Sequence, residues 1–341
     1  MSRAKGKVAL VAGGAGFIGS NLCDRLLAEG AEVICLDNFQ TGRSDNLQHL
    51  ASETRFDVID HDIIEPLPSE LRSGRTKITH IYHFGCAASP PHYQVDPEHT
   101  MLTNVVGTRN LLRLAEHMSA RLLLSSTSEV YGDPEVHPQR EDYLGAVSCT
   151  GPRACYDEGK RAAETLAFDF LRAKRADVRV ARIFNTYGPR MRCDDGRVVS
   201  NVVCQALAGD DITIYGDGSQ TRSFCFIDDM LEGLFRLMDS DRAIGIPVNL
   251  GNPDELAVTN LVDLVVKMTG SKSRVTFEPL PVDDPRRRKP DISRALELLD
   301  GWQPAVNLEE GLNATIAWFQ DERHRIAQPM FADAPLIAAA E

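Results

Sequence analysis

Tyr156, Lys160 and Thr127 are the residue types that proton removal from an alcohol requires, and their spacing lets them meet. Tyr156 and Lys160 lie four residues apart in Cys155-Tyr156-Asp157-Glu158-Gly159-Lys160, and helical periodicity continues through Ala162, Ala163, Leu166, Ala167 and Phe170. An i, i+4 pair shares one helix face. A free phenol ionises near pH ~10. An ammonium one turn away and a hydroxyl donor from Thr127 favour the phenolate, so a tyrosine drawn toward neutrality is expected to act as base. Thr127 belongs to Ser125-Ser126-Thr127-Ser128-Glu129-Val130-Tyr131-Gly132, which follows the apolar run Arg121-Leu122-Leu123-Leu124. Such a run predicts a buried parallel strand that presents Thr127 at its carboxyl end.

Removing that proton is useful only beside a hydride acceptor, and the start of the chain predicts one. Lys7-Val8-Ala9-Leu10-Val11-Ala12 reads as a buried strand and runs into Gly13-Gly14-Ala15-Gly16-Phe17-Ile18-Gly19, then a helix to about Gly30. The spacing Gly13, Gly16, Gly19 is a dinucleotide fingerprint. Gly13 permits the tight turn, Gly16 lets backbone approach a pyrophosphate, and Gly19 lets helix and strand pack closely. A second strand, Glu32-Val33-Ile34-Cys35-Leu36, ends in Asp37. A carboxylate there accepts from the adenosine ribose and repels a 2′-phosphate, which selects NAD over NADP, with Arg43 the residue that argues against it. Strands at Arg55 to Ile59 and Ile78 to Phe84 follow. The first ends in Asp60-His61-Asp62, where Asp62 is a candidate adenine-side contact. The second runs into the small residues Gly85-Cys86-Ala87-Ala88-Ser89-Pro90-Pro91, a loop suited to passing close to a cofactor.

The 341 residues suffice for a large α/β domain with a smaller second lobe. No apolar run approaches the ~20 residues a membrane span needs, and Met1 to Lys7 lacks the apolar centre of a secretory signal, so a cytoplasmic protein is expected. A net charge of −12 argues against nucleic-acid binding. The eight cysteines show no metal-type pairs and sit mostly in apolar segments, which predicts buried thiols and no metal site.

The expected fold is a Rossmann-type doubly wound parallel sheet carrying a smaller α/β substrate-binding lobe. Residues 1–184, with 224–250 returning to them, form the dinucleotide domain. Residues 185–223 and 251–325 form the second lobe, and 326–341 a loose tail. The helix from about Pro97 to Met118 and the Tyr156 helix each carry more apolar surface than one sheet face needs; a homodimer through these two helices and simple core packing are both open. The second lobe is rich in arginine for so acidic a chain: Arg190, Arg192, Arg197, Arg222, Arg286, Arg287 and Arg288. Guanidiniums grip phosphates in fixed geometry, so together they favour an anionic second substrate.

These segments resemble the extended short-chain dehydrogenase/reductase family that modifies sugar nucleotides, and within it the branch of UDP-glucuronate decarboxylases, or UDP-xylose synthases. The resemblance covers roughly residues 7–320. It is carried by Gly151-Pro152-Arg153-Ala154-Cys155-Tyr156-Asp157-Glu158-Gly159-Lys160-Arg161, by Ile183-Phe184-Asn185-Thr186-Tyr187-Gly188-Pro189-Arg190-Met191, by Asp195-Gly196-Arg197-Val198-Val199-Ser200-Asn201 and by Tyr215-Gly216-Asp217-Gly218-Ser219-Gln220-Thr221-Arg222-Ser223-Phe224. Asn249-Leu250-Gly251-Asn252-Pro253 and Arg287-Arg288-Lys289-Pro290-Asp291-Ile292 agree too.

The resemblance implies that C4 of UDP-glucuronate is oxidised by Tyr156, Lys160 and NAD, that carbon dioxide leaves from the resulting β-keto acid, and that C4 is re-reduced to give UDP-xylose. It implies cofactor contacts from Phe17, Ile18, Asn38, Phe39, Thr41, Gly42, Ile63, Phe84, Cys86, Thr103, Ser125 and Thr186, beside the glycines, Asp37, Asp62, Tyr156 and Lys160. It implies substrate contacts from Ser89, Tyr93, Glu129, Asn185, Arg190, Arg197, Tyr215, Gln220, Arg222 and Arg288, with Ser128, Glu129 and Arg222 also in catalytic roles. Related 4,6-dehydratases carry Asp-Glu where this chain has Ser128-Glu129, and serine is a poor general acid for water loss. The 4-epimerases usually lack a carboxylate at Glu129. Leu102 stands where the family is expected to have lysine, Arg75-Thr76-Lys77 lengthens a loop, and Arg113, Glu116 and His117 also depart from the pattern.

Overall fold

The computed structural model describes residues 3–280 and 287–327. Seven parallel strands form the central sheet: β1 Val8–Ala12, β2 Glu32–Asp37, β3 Phe56–Asp60, β4 His80–His83, β5 Arg121–Thr127, β6 Asp177–Ile183 and β7 Pro247–Leu250. Their order across the sheet is β3-β2-β1-β4-β5-β6-β7. The order reverses between β1 and β4, and a crevice opens at the carboxyl ends of the strands there. β1 is a continuous run of Val, Ala and Leu, and β5 carries Leu122-Leu123-Leu124 at its centre, because helices cover both faces. One face packs on Phe17–Ala28 and Ile227–Asp239, the other on Thr108–Met118 and the Tyr156 helix, Ala154–Arg172.

The helix expected from Pro97 to Met118 is continuous but not uniform. It runs as α-helix over Pro97–Leu102, as a π turn over Thr103–Gly107, and again as α-helix over Thr108–Met118. The wider turn brings Thr103 and the fully buried Asn104 to the cleft side, against the Tyr156 helix. Beyond β6, the strands Ile212–Tyr215 and Val275–Glu278 pair in parallel. A separate three-stranded sheet orders Glu255–Ala257, Thr221–Ser223 and Arg287–Arg288 side by side.

Two expectations change. The last helix runs Leu308–Ala327, past Phe319 and into the stretch assigned to a tail, whose residues 328–341 lie outside those described. Asp283, Asp284, Pro285 and Arg286 of the charged loop also lie outside them. Cys193 and Cys204 are bonded as a disulfide rather than standing as thiols, while the other six cysteines are free. The segment before the helix Val198–Ala208 folds back on it, bringing Cα atoms 11 residues apart in sequence to 5.7 Å. No helix among the described residues is long and apolar enough to cross a membrane.

Peptide mapping without reductant is expected to recover Cys193 and Cys204 in one linked fragment; separate thiol peptides would refute the pairing. Closing a loop of this length constrains the unfolded chain by about 3 kcal/mol, so Cys193→Ser should lower the urea midpoint correspondingly.

Candidate active site

The carboxyl edge of the sheet and the smaller sheets enclose a cleft of about 690 Å³. Every residue expected to contact dinucleotide or sugar lines it except Phe39 and Tyr93.

At one end the backbone is shaped for a dinucleotide. Gly13 has φ +79°, and a Cβ there would come within 2.5 Å of the Phe84 carbonyl. A Cβ on Gly19 would come within 2.0 Å of Gly13 O, so only glycine lets this helix start so close to β1. A Cβ on Gly16 would meet only Gly13 O, at 3.3 Å, and otherwise fill open cleft at the helix N-terminus, where a pyrophosphate fits. Asp37 closes β2 and accepts from Ala15 N and Phe39 N, both at 2.8 Å. Burial raises its pKa while these bonds oppose the rise. Phe39 therefore contributes backbone to Asp37 rather than a side chain to the cleft. Asn38 donates to Asp62 at 2.8 Å, and His99 lies 2.7 Å from the same carboxylate oxygen. Burial raises the Asp62 pKa, but the Ile64 N–H, His99 and Asn38 together hold it below its ordinary value. Arg43 does not line the cleft; it pairs with Glu322 at 2.5 Å and Asp45 at 3.3 Å. These features fit NAD.

At the other end, Tyr156 is buried and hydrogen-bonded to Thr127, as expected. The direction of its titration is not as expected. Burial pushes the phenol well above its ordinary value, the neighbouring Cys86 adds to this, and the hydrogen bond with Thr127 opposes it. Lys160 points its ammonium at Ser125 O, 2.9 Å away, and its Nζ stands 5.8 Å from the Tyr156 ring centre. Desolvation lowers the Lys160 pKa as well. Spacing placed the pair on one face but said nothing of the water both side chains lose.

Glu129 lies in the tight turn Ser128–Tyr131 after β5 and forms a two-pronged ion pair with Arg288, at 2.6 and 2.7 Å. The Arg153 guanidinium stands 3.7 Å from the same carboxylate. Burial alone would raise the Glu129 pKa, yet Arg288, Arg153 and Arg222 hold it below the ordinary value. Asp157, beside them, is pushed up to about 7 by burial and by the charge on Glu129. Tyr93 lies behind Tyr156, not in the cleft, with the two rings stacked.

The arginines divide. Arg222 and Arg288 sit on adjacent strands, nearly buried, and line the cleft together. Arg190, Arg192 and Arg197 also line it but pair with Asp24, Asp194 and Asp195. A diphosphate must share or displace those carboxylates. Ser89 is 2.8 Å from His92, and Gln220 donates to Tyr215 O at 2.6 Å, which ties two of the expected substrate contacts to their neighbours. Leu102 is exposed and is not among the lining residues. Arg153, His61 and His99 line the cleft and were missed; Arg153 lies one helical turn before Tyr156, a signal the spacing did contain.

Residues 9–251 match the NAD dependent epimerase/dehydratase family. The chain is 50% identical over 329 residues to UDP-glucuronic acid decarboxylase 1 of Danio rerio, covering 96% of this chain and 76% of that protein. It is 52% identical over 304 residues to UDP-glucuronic acid decarboxylase 6 of Arabidopsis thaliana, covering 89% and 86% respectively. Among solved structures it resembles the UDP-glucuronic acid 4-epimerase of Bacillus cereus in complex with UDP-glucuronic acid and NAD, with a TM-score of 0.83, 28% identity, and coverage of 92% and 99%. The dTDP-glucose 4,6-dehydratase of Streptomyces venezuelae with NAD bound gives 0.84, 27%, and coverage of 93% and 98%. Because the family match runs from the first strand of the sheet to the last, the chain belongs to the NAD dependent epimerase/dehydratase family.

Proposed function

We propose that this chain decarboxylates UDP-glucuronate to UDP-xylose with NAD recycled within the cleft. The observation that carries the reading is a base, Tyr156, sharing one cleft with Glu129 and its arginines, in a chain half identical to UDP-glucuronic acid decarboxylases. NAD held against the Gly13–Gly19 turn and Asp37 would supply a hydride acceptor and donor for C4 and a positive charge that favours the phenolate. Tyr156 removes the C4 hydroxyl proton, with Thr127 holding its oxygen and Lys160 adding a second positive charge behind it. The ketone at C4 stands β to the carboxylate on C5, so the electrons released with carbon dioxide delocalise onto the ketone oxygen. Arg222 and Arg288 line the same cleft and suit the anionic groups of the substrate. Protonation at C5 and re-reduction at C4 complete the cycle. Ser128 in place of an aspartic acid disfavours expulsion of a hydroxyl, since a serine hydroxyl is a weak acid.

A homodimer through the Pro97–Met118 region and the Tyr156 helix belongs to the same reading. It is supported by apolar side chains left partly exposed there, Leu102, Val105, Val106, Ala162 and Leu166. Light scattering after size exclusion should give twice the chain mass, and Leu102→Glu should shift it toward monomer; a native monomer would end the dimer reading.

Anaerobic incubation with UDP-glucuronate and catalytic NAD should yield a nucleotide sugar lighter by carbon dioxide, xylo-configured by proton NMR, with no NADH accumulating. An unchanged mass with an inverted C4 would mean epimerisation instead. Tyr156→Phe should lower kcat by about 10²–10⁴-fold while UDP-glucuronate still binds within a few-fold of native; retained turnover would remove Tyr156 from the role of base.

A further inference from the structure

We infer that Tyr93 is a positioning residue that holds the Tyr156 phenol in the attitude proton removal needs. The assay, though not the geometry, rests on the function proposed above. Tyr93 ends the short helix Pro90–Tyr93 in the loop after β4, and only 1% of it is exposed. Its ring lies parallel to that of Tyr156, 4° from coplanar, with centroids 4.9 Å apart. That is an offset stack, the arrangement in which aromatic faces attract.

The stack is itself anchored on two sides. Thr100 Oγ1 donates to the Tyr93 carbonyl at 3.0 Å, fixing the backbone to the helix Pro97–Leu102. Arg153 Nε donates to the Tyr93 phenol oxygen at 3.0 Å, fixing the ring's outer end. The other end of the same guanidinium stands 3.7 Å from Glu129. Burial keeps the Tyr93 phenol protonated, so it serves as a neutral acceptor and not as a second base. A continuous path therefore runs from Glu129 through Arg153 and Tyr93 to one face of Tyr156. Thr127 fixes the oxygen of the base; Tyr93 fixes the plane of its ring.

A shift of about 1 Å in a reacting group costs on the order of 10²-fold in rate. Losing the flat surface behind Tyr156 should therefore appear in kcat, and in KM hardly at all. Tyr93→Phe keeps the stack and loses only the Arg153 contact, so its kcat should stay within about 3-fold of native, whereas Tyr93→Leu should fall by about 30-fold with KM within about 3-fold. If Tyr93→Leu does not fold, Tyr93→Met, which fills the space without a flat face, takes its place under the same criteria. Rates are read as single-turnover NAD reduction with whichever UDP-sugar the native chain oxidises. Rejection of UDP-glucuronate by the native chain thus overturns the proposed function and leaves this comparison standing. A Leu or Met variant with native kcat overturns the positioning role. So do equal losses in the Phe and Leu variants, which would assign the effect to the hydroxyl, and a loss confined to KM, which would make Tyr93 a substrate contact.

Discussion

A buried carboxylate does not stay ionised unless a cation meets it there, and the ion pair between Glu129 and Arg288 is the contact on which this site depends. The partners lie 159 residues apart and meet through two bonds at once. Desolvation works against Glu129, and three guanidiniums outweigh it. Much of the smaller architecture serves to deliver Arg288. Its two-residue strand pairs beside Thr221–Ser223, and Ser223 Oγ donates to Arg288 O at 2.9 Å. From the other side, Gln139 grips the next residues: its side-chain oxygen accepts from Lys289 N at 2.7 Å, and its backbone pairs with Lys289 and Asp291.

A second buried ion pair sets the Tyr156 helix against the sheet. Glu164, two turns beyond Tyr156, takes both prongs of Arg182 from β6, at 2.9 and 2.8 Å, and also the hydroxyl of Ser126 at 2.5 Å. Ser126 is the neighbour of Thr127, so the strand that carries the hydroxyl and the helix that carries the phenol are fastened one residue behind the chemistry. Arg182 continues to Tyr131, whose phenol donates to Asn249 on β7. Removing one member of such a buried pair typically costs about 3–5 kcal/mol. Under the proposed function, oxidation and re-reduction at C4 would call on the same phenol geometry twice in one cycle.

Charge is balanced within the cleft itself, by pairs both near and far in sequence. The chain carries a net −12, yet the cleft is lined by arginines, and two of them, Arg192 and Arg197, find carboxylate partners only two residues away, in Asp194 and Asp195. Such pairs keep the cations ordered before an anion arrives and can be opened by one that offers more oxygens.

The sequence by itself determined the features that depend on neighbours along the chain. The Gly13-Gly16-Gly19 turn, Asp37 at the end of β2, and the shared face of Tyr156 and Lys160 follow from strand and helix periods and from where a Cβ can fit. The alternation of apolar strands with helices was equally legible, and with it the parallel sheet. What only the tertiary structure decided involves residues distant in sequence or the loss of water. The pairing of Glu129 with Arg288, the move of Tyr93 from the cleft to the back of Tyr156, and the bond between Cys193 and Cys204 arise where segments cross. The upward shift of Tyr156 arises because burial withdraws solvent from a phenol whose nearest ammonium is turned toward Ser125. Spacing along a chain fixes which groups face one way; how much water they keep, and which distant group replaces it, is settled only when the chain closes on itself.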